Sequence, residues 1–127
     1  MLGILELFGA SRPVQRLDRA LRAVGVHPRL VPGAVKIATI RQLESRPRQG
    51  GADETACAHA AALLGYLMHG QQIFTEDNGA LAAAGAEDRI MAAIGAGTGP
   101  DARLVLLALH AGIVAQEVID DYRLEVD

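Results

Sequence analysis

The sequence predicts an all-α protein, a compact bundle of four to six helices around a central apolar C-terminal helix, and three observations carry that prediction. Half of the 127 residues are hydrophobic while aromatics supply only 3%. That core of Ala, Leu, Ile and Val suits close helix packing better than a β-sandwich. Apolar residues recur at three- and four-residue intervals in several stretches, the period of a helix face. Glycines, prolines and Asx or Ser residues fall where such stretches begin and end. A chain of this length fits one domain, here residues 1–127.

Taken in order, residues 1–9 carry Met1, Leu2, Ile4, Leu5, Leu7 and Phe8 and read as a short helix or a docking arm reaching to about residue 10. The stretch has no basic lead and contains Glu6, so it is a poor signal peptide. Ser11 is an expected N-cap with Pro13 in the first turn, where its missing N–H costs nothing. The helix that follows runs to about Val24. Val14, Leu17, Leu21 and Val24 share one face, Arg12, Arg16 and Arg19 line another, and Arg22 stands near its edge. Gly25 and Pro28 stop it.

Residues 26–33 read as a loop. Residues 34–44 fit two patterns: Ile37, Ile40 and Leu43 favour a helix, whereas Val35, Ile37 and Thr39 alternate as in an edge strand. The helix is preferred. Residues 45–52 form an internal linker, polar and glycine-rich. Asp53 then caps a helix expected to run to Phe74, with Thr75–Gly79 as a turn. Residues 80–95 are helical with a break expected near Gly85. Thr98 and Asp101 have the spacing of a capping box for the last helix. From Leu104 to Ala115 that helix is apolar almost all round, which predicts a fully surrounded position. The tail 122–127 alternates and would pair as a strand or fray.

Charge divides the chain. Up to residue 50, nine basic residues face three acidic ones, net +6; beyond it, three arginines face twelve carboxylates, net −9. Either the arginines of the first helix pair internally with Glu117, Asp120, Asp121 and Glu125, or they meet an acidic partner outside the chain. Nucleic acid is the less favoured partner. A helix-turn-helix needs a turn of about 3–4 residues, and residues 25–33 contain two prolines. No aromatic residue interleaves with the arginines to stack bases. Eleven arginines to one lysine is also what a GC-rich coding sequence yields, so arginine number alone argues little.

Chemistry-bearing residues are few. His59, Tyr66, His69 and His110 are the candidates for a pocket, since Tyr66 can neighbour both His59 and His69 on one helix. No Glu-x-x-His pair of the kind that builds metal sites in bundles occurs, so no metal ligand set is assigned, although His59, His110 and Glu117 would converge if the two long helices packed antiparallel. Cys57 is the only cysteine and reads as a buried thiol. The Gly95-x-Gly97-x-Gly99 run lacks the flanking strand and lysine of a phosphate loop. No cofactor is expected.

A lone cysteine fits a reducing compartment, and the longest near-continuous apolar run, 12 residues, is well short of a membrane span of about 20. The sequence therefore predicts a cytoplasmic, non-enzymatic adaptor or small regulator. Its contact residues are Arg12, Arg16, Arg19 and Arg22, its partner an acidic protein surface, and self-association is expected. The alternatives are a nucleic-acid-binding regulator using the same arginines with Arg46 and Arg48, and a small-molecule-binding or enzymatic bundle centred on His59, Tyr66 and His110.

Overall fold

The computed structural model describes residues 12–45 and 51–125. Within them lie seven α-helices, one 3-10 turn and no strand. The arm at 1–10, the cap expected at Ser11, most of the linker and residues 126–127 lie outside the described residues.

Helix α1 (Arg12–Ala23) buries Leu17 and Leu21 completely, with Val14 and Val24 packed beside them. The 3-4-3 spacing produces that stripe. Gly25 stops the helix at φ +92°, and Val26 N–H reaches back to Leu21 O at 2.9 Å. A 3-10 turn (Pro28–Leu30) leads into α2 (Gly33–Glu44). That helix buries Val35, Thr39 and Ile40 and leaves Ile37 outside. The inward face therefore repeats at four- and five-residue intervals, and the alternation that resembled a strand is incidental. The Thr39 hydroxyl, buried, donates to Val35 O at 2.8 Å and so needs no other partner.

Helix α3 (Glu54–His69) starts where its cap requires: Asp53 Oδ1 accepts from Ala56 N–H at 2.8 Å. It buries Cys57, Ala60, Ala61 and everything from Leu63 to Leu67. The expected continuation to Phe74 is interrupted at Gly70, whose φ of +88° closes the helix. The chain restarts as α4 (Gln71–Asn78), which carries Phe74 into the core and absorbs most of the expected turn at 75–79. Helix α5 (Ala80–Ala96) passes through Gly85 without a break. Nothing lies within 4 Å of where a Cβ would sit on Gly85, so that glycine is not needed to admit a neighbour.

Helix α6 (Pro100–His110) begins after Gly99 with no side-chain cap bond, so the Thr98–Asp101 box does not form. It ends at His110, five residues earlier than the apolar run. Residues Ile113 to Ala115 leave the helix, and Ala115 N–H bonds to Leu67 O at 2.8 Å, hooking the turn onto α3. Helix α7 (Gln116–Tyr122) follows, and residues 123–125 are coil rather than strand.

Helix α3 occupies the middle, packing against α1, α2, α4, α5 and α6. The last long helix, α6, is partly enclosed: Ala108 is fully buried while Leu106 is 50% exposed. Helix α1 lies parallel to α3, since Arg16 reaches Ala52 just ahead of α3 while Val24 meets Gly65 near its far end. A Cβ at Gly65 would stand 3.1 Å from Val24 Cγ2 and 3.3 Å from Phe74, so the glycine is what lets both close in. Among the described residues no single helix is long and apolar enough to cross a membrane; α5 and α6 together are, but they meet at 94°.

Candidate functional site

With its apolar stripe against α3, helix α1 turns its arginines outward. Arg12 and Arg22 are exposed, and their side chains make no hydrogen bond or ion pair among the described residues. Arg16 is half-buried, and its guanidinium donates to Ala52 O at 3.3 Å. Arg19 approaches Glu54 at 3.8 Å, with both side chains largely exposed. A pair of that kind contributes about 0–1 kcal/mol and does not hold the arginine. Among the described residues the basic half keeps one close internal pair, Lys36 Nζ to Asp18 Oδ1 at 2.9 Å, joining α2 to α1.

Internal pairing of the ridge with the acidic end is not what the fold builds. Among the described residues no ion pair links Arg12, Arg16, Arg19 or Arg22 to Glu117, Asp120, Asp121 or Glu125. The reason is placement. Arg16 and Arg19 meet α3 at its start, at Ala52 and Glu54, whereas α7 is pinned near its far end, by Leu67 and by Glu117 lying over Gly70. Thirteen residues of helix separate Glu54 from Leu67, which is ~20 Å along the axis and more than a Debye length in physiological salt.

A second feature is a cleft of about 430 Å³ between α2, α3, α5 and α6. Arg89 organises one wall. Its Nε and Nη2 donate to the two oxygens of Asp101 at 3.0 and 2.9 Å, and Nη1 donates to His59 O at 2.8 Å. Gln42 closes the other side, donating to Pro100 O at 2.7 Å. Thr55, Asp53 and the exposed His59 stand at the mouth. The strongest donors of this cleft are spent on protein acceptors, and the Thr39 hydroxyl is committed to Val35.

Of the four residues expected around a pocket, the cleft takes only His59. His110 is exposed at the end of α6. His69 is half-buried, with Nδ1 enclosed and without a hydrogen-bond partner among the described residues. Tyr66 is buried elsewhere. Its hydroxyl donates to Glu87 Oε2 at 2.8 Å and lies 3.3 Å from the Tyr122 hydroxyl, while its ring meets Phe74 and Tyr122 edge-on at 5.7 and 6.4 Å. Burial, then the Tyr122 and Glu87 hydrogen bonds, push the Tyr66 phenol far above its usual pKa. The group stays protonated at any physiological pH and serves to clamp α7 onto α3 and α5.

Sequence reasoning missed Arg89, Asp101, Glu87 and Tyr122. A signal existed for the first: Arg89 is one of only three cations beyond residue 50 and stands among carboxylates. Cys57 is fully buried, its Sγ 3.7 Å from Ala52 O, and burial raises its pKa above that of an ordinary thiol. Among the described residues no group of three His, Cys, Asp or Glu side chains could hold a metal ion. No family model, no curated protein and no solved structure matches the chain.

Proposed function

We propose that this chain is a non-enzymatic helical interaction module, an adaptor or small regulator, that meets an acidic protein surface through Arg12, Arg16, Arg19 and Arg22. The observation that carries the reading is the exposure of Arg12 and Arg22 with no partner among the described residues, on a helix whose other face is consumed by the core. Its two neighbours, Arg16 and Arg19, are held in the same ridge by contacts too weak to neutralise them. A guanidinium is weakly hydrated and presents a fork that matches carboxylates, which makes such a ridge suited to an acidic protein face.

Nucleic acid fits less well. Helices α1 and α2 are joined through a 3-10 turn and two prolines rather than a tight turn, and Tyr66, Phe74 and Tyr122 are packed on one another, away from base stacking. The test is binding to an immobilised polyglutamate peptide and, in parallel, to duplex DNA, across a salt series. The reading expects retention on polyglutamate that R12E/R19E/R22E abolishes. Equal retention of wild type and variant would overturn it. A steep salt slope on DNA alone would transfer the ridge to nucleic acid, because each phosphate contact releases counterion.

A second reading, small-molecule binding, rests on the cleft at His59, Gln42 and Arg89, whose volume falls within the range of ligand pockets. Native mass spectrometry of purified protein tests it: a stoichiometric adduct that Gln42→Trp, which would fill the cleft, displaces supports this use of the fold, and a bare chain counts against it.

A further inference from the structure

The outer faces of α5 and α6 group three exposed large apolar side chains, Met91, Ile94 and Leu106. A groove of about 290 Å³ runs between the end of α5, α6 and residues 122–125. Ile94 and Leu106 line it while 44% and 50% exposed, and Leu109, Tyr122 and Leu124 form its floor and far wall. Met91, one helical turn before Ile94, extends the patch at 60% exposure. A soluble chain rarely leaves large aliphatic side chains grouped in this way unless something covers them.

We propose that this face is where two copies of the chain associate around a two-fold axis. The charges at its edge select that occupant. Asp88 lies one turn before Met91 on α5, Arg103 one turn before Leu106 on α6, and Arg123 and Glu125 border the groove at the tail; all four are exposed. The rim thus carries two positive and two negative groups around an apolar centre. A two-fold interface brings each patch against itself, so residue i meets j and j meets i. A rim of one sign would repel its own copy, whereas this one, among the described residues, is neutral and supplies an opposite charge for each group. A strongly acidic or strongly basic partner would meet as many like charges as unlike ones. Arg123 is held at the rim by backbone, its left-handed φ of 54° being fixed as Leu124 N–H bonds to Ile119 O at 2.9 Å. This contact is separate from the arginine ridge of α1, and either can fail without the other.

Sedimentation velocity on the full chain, from micromolar to millimolar concentration, is the test. Wild type is expected to form dimers that persist as salt is raised from about 0.1 to about 1 M, losing only the rim's share of affinity, since surface ion pairs are screened there and the apolar contact is not. The variant I94E/L106E, substituted at exposed positions and checked for an unchanged far-UV spectrum, should be at least tenfold weaker. Met91→Glu provides a second variant on the same face. Arg103→Glu should weaken the dimer, and D88R/R103E, which restores a neutral rim, should recover it. A wild-type monomer at every concentration would overturn the proposal, as would a dimer indifferent to I94E/L106E. Binding to neutral phosphatidylcholine vesicles without self-association would also overturn it, by assigning the face to lipid.

Discussion

Replacing Arg89 with alanine removes three hydrogen bonds at once, two to Asp101 and one to His59 O, and unties α5 from both α6 and α3. The pair is neither surface nor core: the Arg89 and Asp101 side chains are 21% and 36% exposed. A hydrogen bond to a charged group contributes about 1.5–3 kcal/mol when sheltered, and an exposed ion pair about 0–1 kcal/mol. The bidentate geometry at this intermediate exposure places the loss near ~2 kcal/mol. Lysine in its place keeps the charge but loses the fork, so R89K should recover less than half of that. The assay is urea unfolding of wild type, R89A, R89K, D101N and the double variant R89A/D101N, read as midpoint shifts at constant slope. The cycle should return a coupling of ~1 kcal/mol or more between positions 89 and 101, as neighbours in one network show. Single-variant losses below ~0.5 kcal/mol with no coupling would mean that the cleft wall is not held by this latch.

Three further outcomes follow from the geometry. Gly70→Ala should destabilise the fold by about 1–2 kcal/mol in the same assay, because alanine is strained at positive φ; its Cβ would also overlap the Glu117 carboxylate, so G70A/E117A should recover only the smaller, steric part. Tyr66 has a folded pKa above its unfolded one, so its contribution is fully present below about pH 10 and declines as pH rises beyond that. Absorbance at 295 nm should show one phenol failing to ionise with the native chain near pH 11, and Tyr66→Phe should remove that share of the alkaline loss in stability. Cys57, buried and with its pKa raised, should react with a thiol reagent only as fast as the chain opens, so that urea accelerates labelling; rapid stoichiometric reaction of native protein would contradict its burial.

What the sequence made legible was local. The stripe of Val14, Leu17, Leu21 and Val24 and the cap at Asp53 are decided by residues within one or two turns, and the helices they predict are present. The break at Gly70 was hidden because apolar residues continue across it to Phe74, and the glycine is needed for a contact with Glu117, 47 positions away. Gly85 misled in the opposite direction, since a glycine on an exposed helix face costs stability without ending the helix. The run to Ala115 resembled one helix because Ile113 and Val114 are apolar, yet they serve a turn that hooks onto Leu67. The Tyr66 cluster and the Arg89 latch join residues 12 to 56 positions apart, pairings that no local pattern encodes.

Everything proposed for the arginine ridge depends on its arginines making no ion pairs with the carboxylates of α7. Urea midpoints for R12E/R22E, for E117K/D120K/D121K and for the combined variant test that directly. Groups that do not interact predict small, additive shifts, with R12E/R22E within ~0.5 kcal/mol of wild type. Loss of stability in each set, restored when both are reversed together, would show that the arginines already have their carboxylates within the chain.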